Sequence, residues 1–293
     1  MRKSGIIITI LLLIAVLALM MASAGLLPVP FLKAGETSSI PQVNLPFSTS
    51  LENETDHVAE HRPKLTVHTQ HGQIIVKGAN VDQIEVHMHV QTKATTALRA
   101  QELMNGVSLD IRTTADTTVL EVQAPRTHNN EMARADLTIS VPVETELDLK
   151  TGLGQVEVTN VQGSVRALSQ LGAIKLEDVE GDAYLETALG NIEISNSVFE
   201  KELVALTHLG DIHIQASLAQ SNILESSLGD LTLLLSPDES YVLEGKLSLG
   251  SINIMVPFKG QQSRERIQGV IGEGKQRGSI NVDLSLGSLE LKN

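Results

Sequence analysis

Apolar residues recur along the second half of the chain in a fixed pattern around a leucine–glycine pair. Seven hexapeptides carry this pair followed by two alternating apolar residues: LGQVEV at 153–158, LGAIKL at 171–176, LGNIEI at 189–194, LGDIHI at 209–214, LGDLTL at 228–233, LGSINI at 249–254 and LGSLEL at 286–291. The first five steps between successive glycines are 18, 18, 20, 19 and 21 residues, and the last is 37. A repeat of this length is typical of a solenoid, in which one supersecondary unit stacks on copies of itself.

The spacing within each repeat predicts two short strands. Apolar residues alternate after the glycine, as at Ile192 and Ile194, and a second alternating run precedes it, as at Ala183, Leu185 and Thr187. Period two is the strand period, and two short strands with two corners use up about 20 residues. We therefore predict an all-β fold, a parallel β-solenoid of about seven coils of 18–21 residues with the glycine at one corner.

The same alternation separates inward from outward positions. It places the leucine before each glycine in the core, so that Leu209→Asp should abolish folding as Ile192→Asp should. Three residues before the glycine, Ser or Thr predicts a ladder of buried hydroxyls bonded to one another or to the backbone. This ladder contains Thr151, Ser169, Thr187, Thr207 and Ser226.

The chain divides into four predicted segments. Residues 1–32 form a signal or membrane-anchor segment, 33–63 a linker, 64–146 a β-rich N-terminal cap region, and 147–293 the solenoid repeats. Arg2 and Lys3 precede an apolar run that is densest over Ile6–Met21. This run is either an uncleaved N-terminal hydrophobic helix that anchors the chain in the cell membrane or a signal peptide cleaved after Ala24. Both interpretations place the rest outside the cytoplasm, membrane-anchored in the first case and periplasmic or secreted in the second.

Two segments do not follow the repeat, one before it and one within it. Residues 64–146 contain six β-rich stretches and one short predicted helix from Thr95 to Asn105. We predict that this region covers the first coil, with early irregular coils continuous with the array. The insertion Pro257–Arg277 is a basic loop in an acidic protein, for which we favour a solvated excursion over a ligand contact.

Composition narrows the range of possible functions. The net charge is −13, aromatic residues make up 2% of the chain, and Trp and Cys are absent. The acidic charge disfavours nucleic-acid binding, the scarcity of aromatic rings disfavours a sugar-binding cleft, and the lack of cysteine excludes disulfides and Cys–zinc sites. Asp211, His213 and Asp230 fall on neighbouring coils and form a candidate cation site. We favour a turn role for the two aspartates, because other repeats carry Ser or Asn at the same position.

The repeat resembles a known family. The recurring pattern L-x-L-x-T-x-x-G-x-I-x-V, the stretch from Val141 to Val158, and the closing RGSINVDLSLGSLEL are similar to the bacterial putative-adhesin domains of unknown function, including LiaG-like envelope proteins. The resemblance covers residues 64–291 and implies an extracytoplasmic β-solenoid, often behind an N-terminal membrane segment. It implies no catalytic residue.

We therefore predict a non-enzymatic, membrane-associated binding or scaffold module of the bacterial cell envelope, with no catalytic residue, cofactor or metal. One alternative is a carbohydrate-active enzyme, a polysaccharide lyase or hydrolase, by analogy with other β-helices. Another is an accessory component of envelope-stress sensing. The partner would be a protein or an envelope polymer, or a second copy through self-association.

The predicted contact surface is an apolar patch on the outer face of the strands that precede the glycines. Outward positions there are mostly polar, but five apolar or aromatic residues cluster on neighbouring coils. They are Leu168, Tyr184, Val204, Leu206 and Ile223. Cover by the linker or by part of 64–146 is the alternative to a free contact surface.

Overall fold

Alternating apolar residues build two facing sheets of mostly parallel strands. The computed structural model describes residues 49–293, so the predicted hydrophobic helix within 1–32 lies outside the described residues. In chain order the elements are β1 (Thr49–Ala59), β2 (Lys64–His71), β3 (Ile74–Ala79), β4 (Ile84–Ala94), α1 (Ala97–Asn105), β5 (Ser108–Thr113), β6 (Thr117–Gln123), β7 (Met132–Pro142), β8 (Glu146–Leu153), β9 (Val156–Gln162), β10 (Val165–Leu171), β11 (Ile174–Leu189), β12 (Ile192–Leu209), β13 (Ile212–Ser217), β14 (Ser221–Leu228), β15 (Leu231–Leu234), β16 (Glu239–Ile254), β17 (Phe258–Gln262), β18 (Arg266–Ile271) and β19 (Lys275–Lys292).

Each coil contributes one strand to each sheet. The strand before the corner glycine lies in the first sheet, whose order is β5-β6-β2-β8-β10-β11-β12-β14-β19-β16-β18-β17. The strand after the glycine lies in the second sheet, whose order is β1-β4-β7-β3-β9-β11-β12-β13-β15-β19-β16. The long strands β11, β12, β16 and β19 pass through both sheets. Inward apolar side chains of the two sheets form one continuous core.

Close packing of successive coils explains the corner glycines. A Cβ on Gly229, where φ is +151°, would lie 2.0 Å from the carbonyl oxygen of Gly210. The amide of each corner glycine donates to the next coil, as Gly210 N–H does to Leu228 O at 2.9 Å. A side chain would therefore separate the coils and strain the backbone at the same time.

The array begins earlier than the leucine–glycine pairs indicate. Strands β2 and β3 form a complete coil around Gly72, paired in parallel with β8 and β9. Beyond this coil β6 and β7 continue both sheets in parallel, and the antiparallel strands β5, β4 and β1 close this end. The predicted helix is confirmed as α1, which Thr96 caps at its start and Gly106 at its end.

Part of the predicted linker is a strand. Residues Thr49–Ala59 pair antiparallel with β4 over their whole length. Pattern analysis missed β1 because it is an edge strand whose side chains are mostly polar and exposed, so apolar alternation is absent.

The last two coils stack in the reverse of their chain order. The coil of Gly287, in β19, pairs with β14 and β15 on one side and with β16, which carries Gly250, on the other. The insertion Pro257–Arg277 is more ordered than the predicted excursion. It forms the hairpin β17–β18, which pairs antiparallel with β16 and buries Ile267 and Ile271.

The predicted hydroxyl ladder is confirmed, and its acceptors are backbone carbonyls. Thr151, Ser169, Thr187, Thr207 and Ser226 each donate to the carbonyl oxygen of the corner glycine in the preceding coil, at distances of 2.8–3.2 Å. All five side chains are buried. The hydroxyls therefore satisfy carbonyls at a corner where water has little access.

Candidate functional site: two outer apolar surfaces

The predicted patch is contiguous. Val204 pairs directly with Tyr184 on one side and Ile223 on the other, in a row across three coils of the first sheet. Leu168 and Leu206 occupy the neighbouring row, on either side of a glutamate. The five residues therefore form one apolar area on the outer face of the first sheet.

This patch is more covered than its outward direction suggests. Val204 is 7% exposed, and the other four side chains are half-buried. Stacked side chains lie about 4.8 Å apart in a parallel sheet, so the neighbours of a central residue cover much of its surface. The patch alone therefore offers only a modest free apolar area.

Charged groups border the patch at Tyr184. The guanidinium carbon of Arg166 lies 5.5 Å from the centre of the Tyr184 ring, within the range of a cation–π contact. The Tyr184 hydroxyl donates to Glu186 Oε2 at 2.9 Å. This hydrogen bond, together with partial burial, raises the pKa of Tyr184 above its usual value. Tyr184 is therefore held in place as a neutral hydrogen-bonding group.

Two shallow clefts flank the patch on the same face. One, of about 180 Å³, contains Tyr184, Arg166, Asp148 and Lys64; Asp148 pairs with Arg166 at 3.3 Å and with Lys64 at 3.6 Å. The other, of about 250 Å³, begins at Ile223 and is bordered by Glu225, Glu244, Lys246 and Asp283. Both clefts carry charges of both signs, and the apolar patch lies between them. This arrangement suits a contact surface with a polar rim.

A larger exposed apolar surface lies at the glycine corner. The leucines that precede the glycines pair with one another from coil to coil in a single column, which we call the leucine ridge. In spatial order it contains Leu153, Leu171, Leu189, Leu209, Leu228, Leu286 and Leu249. Six spacings of about 4.8 Å give the ridge a length of about 29 Å.

The expectation that these leucines are core residues is wrong. Six of the seven are 42–69% exposed, including Leu209 at 45%, and Leu228 is half-buried. The inward alternation ends at the hydroxyl ladder, as at Thr207, because the chain leaves the sheet at the corner. The next alternate position, Leu209, therefore lies on the outer rim. A ridge of adjacent exposed leucines is a candidate contact surface.

The two rows beside the ridge are almost free of charged side chains. On the side of the first sheet the row is Gly152, Gln170, Ala188, His208, Ser227, Ser285 and Ser248. On the side of the second sheet it is Gln155, Ala173, Asn191, Asp211, Asp230, Ser288 and Ser251. The ridge is thus an apolar strip with two carboxylates beside it, Asp211 and Asp230, in a protein of net charge −13.

The two aspartates in this row have a structural role. The Asp211 amide donates to Asn191 Oδ1 at 2.9 Å, and Asp211 Oδ1 in turn accepts from the Asp230 amide at 2.8 Å. Asp230 Oδ1 accepts from the Ser288 amide at 2.7 Å. Each side chain therefore caps a corner amide of the next coil, the turn role that we favoured. Residues 49–293 contain no group of three His, Asp or Glu side chains placed to hold a metal ion, and Asp211, His213 and Asp230 do not form one.

The chain is similar to solved structures of putative adhesins. A solved structure described as a putative adhesin from Bacteroides fragilis is 12% identical to this chain, covers 82% of it and 97% of its own length, and has a TM-score of 0.43. A second putative adhesin, from Parabacteroides distasonis, is 10% identical, covers 83% of this chain and 98% of its own, and has a TM-score of 0.42. No curated protein matches the chain.

Within residues 49–293, no helix has the length and apolar character needed to cross a membrane. Residues 63–284 match the model of the Toastrack DUF4097 family, which covers more than half of the chain. This match agrees with the resemblance to putative-adhesin domains that the repeat itself indicates. The chain belongs to the Toastrack DUF4097 family.

Proposed function

We propose that this protein is an extracytoplasmic, membrane-associated and non-enzymatic β-solenoid that acts as an adhesin-like binding or scaffold module of the bacterial cell envelope. The observation that carries the proposal is the leucine ridge. Large apolar side chains that lie next to one another on a protein surface usually mark a contact surface. The partner would be a protein or an envelope polymer.

The apolar character of the ridge supports a specific contact. Repulsion between like charges keeps most of the surface of an acidic protein away from other acidic envelope components. The two carboxylates in the rows beside the ridge, Asp211 and Asp230, lie next to Leu209 and Leu228, so a partner meets Leu171 and Leu189 with no carboxylate directly beside them. The predicted patch around Val204 is the second surface that we propose for contact, and its charged rim would favour a polar partner.

The proposed location is supported by the sequence. Arg2 and Lys3 stand before the apolar run Ile6–Met21, and positive residues remain on the cytoplasmic side of such runs. The domain that follows would therefore be exported, whether the run stays as an anchor or is removed. Absence of cysteine from an exported domain also leaves it insensitive to the redox state of its compartment.

A pair of charge variants tests the ridge. In a chain without residues 1–32, whose apolar run could itself bind membranes, Leu171→Glu with Leu189→Glu should reduce retention of the protein on isolated cell envelopes by about tenfold or more, because each glutamate must be desolvated in an apolar contact. The matched control is His213→Glu with Gln215→Glu, which adds two carboxylates to exposed positions of the second sheet. Equal retention of both variants would overturn the role of the ridge.

The patch is tested separately. Val204→Lys with Leu206→Glu should leave the fold intact if the patch is a contact surface, and should reduce envelope retention on its own account. Loss of the cooperative thermal transition in this variant would show that the patch is part of the structural core. Retention equal to that of the unaltered chain would assign binding to the ridge alone.

The non-enzymatic part of the proposal has its own assay. The full chain is incubated with purified cell-wall and capsular polysaccharides, and reducing ends and unsaturated products are measured over time. We expect no release above that of heat-denatured protein. Release that depends on folded protein would favour the carbohydrate-active alternative instead.

A further inference from the structure

A basic cleft lies at the corner opposite the glycines, where the chain passes from the second sheet back to the first. Its volume is about 410 Å³. Three cations, one carboxylate and two amides line it: Lys201, Lys275, Arg277, Glu200, Gln220 and Gln276. The whole chain has a net charge of −13, so the cleft reverses the charge of the molecule locally.

The reversed stacking of the last coils brings these residues together. Lys201 lies on β12, Gln220 directly precedes β14, and Arg277 lies on β19. The Gln220 amide donates to Glu200 O at 3.0 Å, and the Ser279 amide donates to Gln220 O at 2.9 Å. Lys201 and Arg277 are therefore distant in the chain but only two strand spacings apart, roughly 10 Å. Long side chains from both positions can contact one anion between them.

A buried network orients Arg277 at the edge of the cleft. Arg277 Nη1 donates to Glu239 Oε1 at 2.9 Å. Glu239 also accepts from Ser217 Oγ at 2.6 Å and from the Tyr241 hydroxyl at 2.7 Å. The Glu239 side chain is 13% exposed and Tyr241 is fully buried. Because a guanidinium has five N–H donors, the bond to Glu239 fixes the group and leaves donors for a ligand.

Two lysines add charge to the same cleft. Within residues 49–293, neither Lys201 nor Lys275 forms a salt bridge, although Glu200 lies in the cleft with them. The Lys201 amide donates to Asp182 Oδ1 at 3.0 Å, which fixes the backbone that carries this ammonium group. Two ammonium groups beside an oriented guanidinium favour an oxyanion.

The number of cations favours a phosphate group. A phosphate monoester carries a charge of about −1.5 to −2 at pH 7 and has three acceptor oxygens, so each of the three cations meets one oxygen. A carboxylate has only two oxygens and would leave one cation unmatched.

The size of the cleft leaves room beyond the phosphate. Sites for small molecules have volumes of about 300–1,000 Å³, and this cleft lies within that range. The side-chain amides of Gln220 and Gln276 provide both donors and acceptors, which suit hydroxyl groups.

The same corner disfavours an extended anion. An adjoining cleft of about 350 Å³ contains Glu146, Glu180 and Asp182 on the preceding coils. A polyanionic polymer or an anionic membrane surface would meet these carboxylates as well as the cations, and would be repelled. The site therefore suits a small molecule with one phosphate group.

We propose that this cleft binds the phosphate group of a small hydroxylated molecule, with Lys201, Lys275 and Arg277 on the phosphate oxygens and the two glutamines on hydroxyl groups. The site is separate from the leucine ridge and from the patch around Val204. It joins β12, β14 and β19, so an occupied site would stabilise the place where the stacking order reverses.

Calorimetric titration of the full chain in an uncharged detergent tests the site. The probes are glucose 6-phosphate, inorganic phosphate and glucose. We expect glucose 6-phosphate to bind, glucose not to bind at the same concentration, and added salt to weaken the binding by screening. Tighter binding of glucose 6-phosphate than of inorganic phosphate would identify a phosphorylated molecule as the ligand. Equal binding would identify free phosphate.

Two variants of matched charge locate the binding. Lys201→Met with Lys275→Met should weaken the binding of glucose 6-phosphate about tenfold or more, because two charge-assisted hydrogen bonds are lost. Lys77→Met with Lys150→Met removes the same charge from exposed positions on other coils and should leave the affinity unchanged. Glu200→Gln should tighten the binding, since it removes the carboxylate that lines the cleft.

Three results would overturn the proposal. They are no binding of either phosphate at millimolar concentration, equal binding of glucose and glucose 6-phosphate, and equal weakening by the two lysine pairs. The substituted side chains are all exposed, so each variant should keep the cooperative thermal transition of the unaltered chain, and a lost affinity then reports the cleft.

Discussion

The column of residues at Ile192 and the leucine ridge at Leu209 use similar side chains at the same period, but they differ in exposure. Ile174, Ile192 and Ile212 are 0% exposed and pack between the sheets. Leu209 pairs in its column just as regularly, yet 45% of its surface is exposed. A strict apolar repeat therefore does not by itself indicate a core, because stacking repeats every surface of the coil, inner or outer.

The largest expected effect separates these two columns. Ile192→Asp should prevent folding or cost more than about 4 kcal/mol, because an unpaired carboxylate would be buried between the sheets. Leu209→Asp should cost about 1 kcal/mol or less, since its side chain already meets water. Urea unfolding monitored by circular dichroism measures both. Equal losses would mean that the ridge is part of the core.

The corner glycines lie between the two columns, and the next effect in size concerns them. Gly229→Ala should cost about 2–4 kcal/mol, because its Cβ would meet Gly210 O and the backbone has φ of +151°. Ser227→Ala, at an exposed position two residues earlier, is the control and should change stability little. The difference in melting temperature between the two variants measures the tightness of the corner.

The hydroxyl ladder marks the inner boundary of the ridge. Thr187→Val should cost about 1 kcal/mol, because the partly buried Gly172 carbonyl loses its donor at 2.9 Å while the side-chain volume changes little. Thr232→Val, on the outer face of the second sheet, serves as a control. A neutral result at Thr187 in denaturant unfolding would show that water replaces the hydroxyl, and that the corner is more open than its packing indicates.

The smallest effect lies outside both columns and depends on pH. A hydrogen bond from Arg99, with a second from the His128 amide, lowers the pKa of Glu131 from 4.5 to about 2. A lowered pKa in the folded state adds stability above the unfolded value of 4.5, and this stability is lost as the pH falls towards 2. Glu131→Gln should therefore reduce the difference in urea midpoint between pH 5 and pH 3. An unchanged difference would place the acid response elsewhere.

The repeat, the sheet type and the hydroxyl ladder could be predicted because each follows from local alternation. The first coil escaped detection because His71 stands where the other coils have leucine before the glycine. The exposure of the ridge could not be obtained by extending the alternation, which fails where the chain turns. A usable signal was the leucine–glycine pair itself, since core positions vary among Leu, Ile, Val and Ala while the ridge position does not.

The stacking order was beyond any local pattern. Every coil presents the same columns, so the coil of Gly287 can pair with that of Gly229 or with that of Gly250, and pairs with both. The repeat pattern is the same whether a coil is next in the chain or next in space. It therefore cannot predict the stacking order of the coils. The 37-residue step before Gly287 was the one indication, because the hairpin β17–β18 needs that length to return the chain.

The inserted position of β19 also has a consequence for the order of folding during synthesis. The coils up to Gly229 can be added one after another as the chain emerges, since each finds its neighbour already in place. Strand β16 cannot do so, because its parallel partner β19 follows it in the chain and is made later. Until Lys275–Lys292 arrives, β14, β15 and β16 carry unpaired edges, which is the condition under which β-proteins recruit wrong partners. Strand β19 therefore completes the stacking of these coils, and β14 to β19 should become protease-resistant in a single step only after β19 has been made.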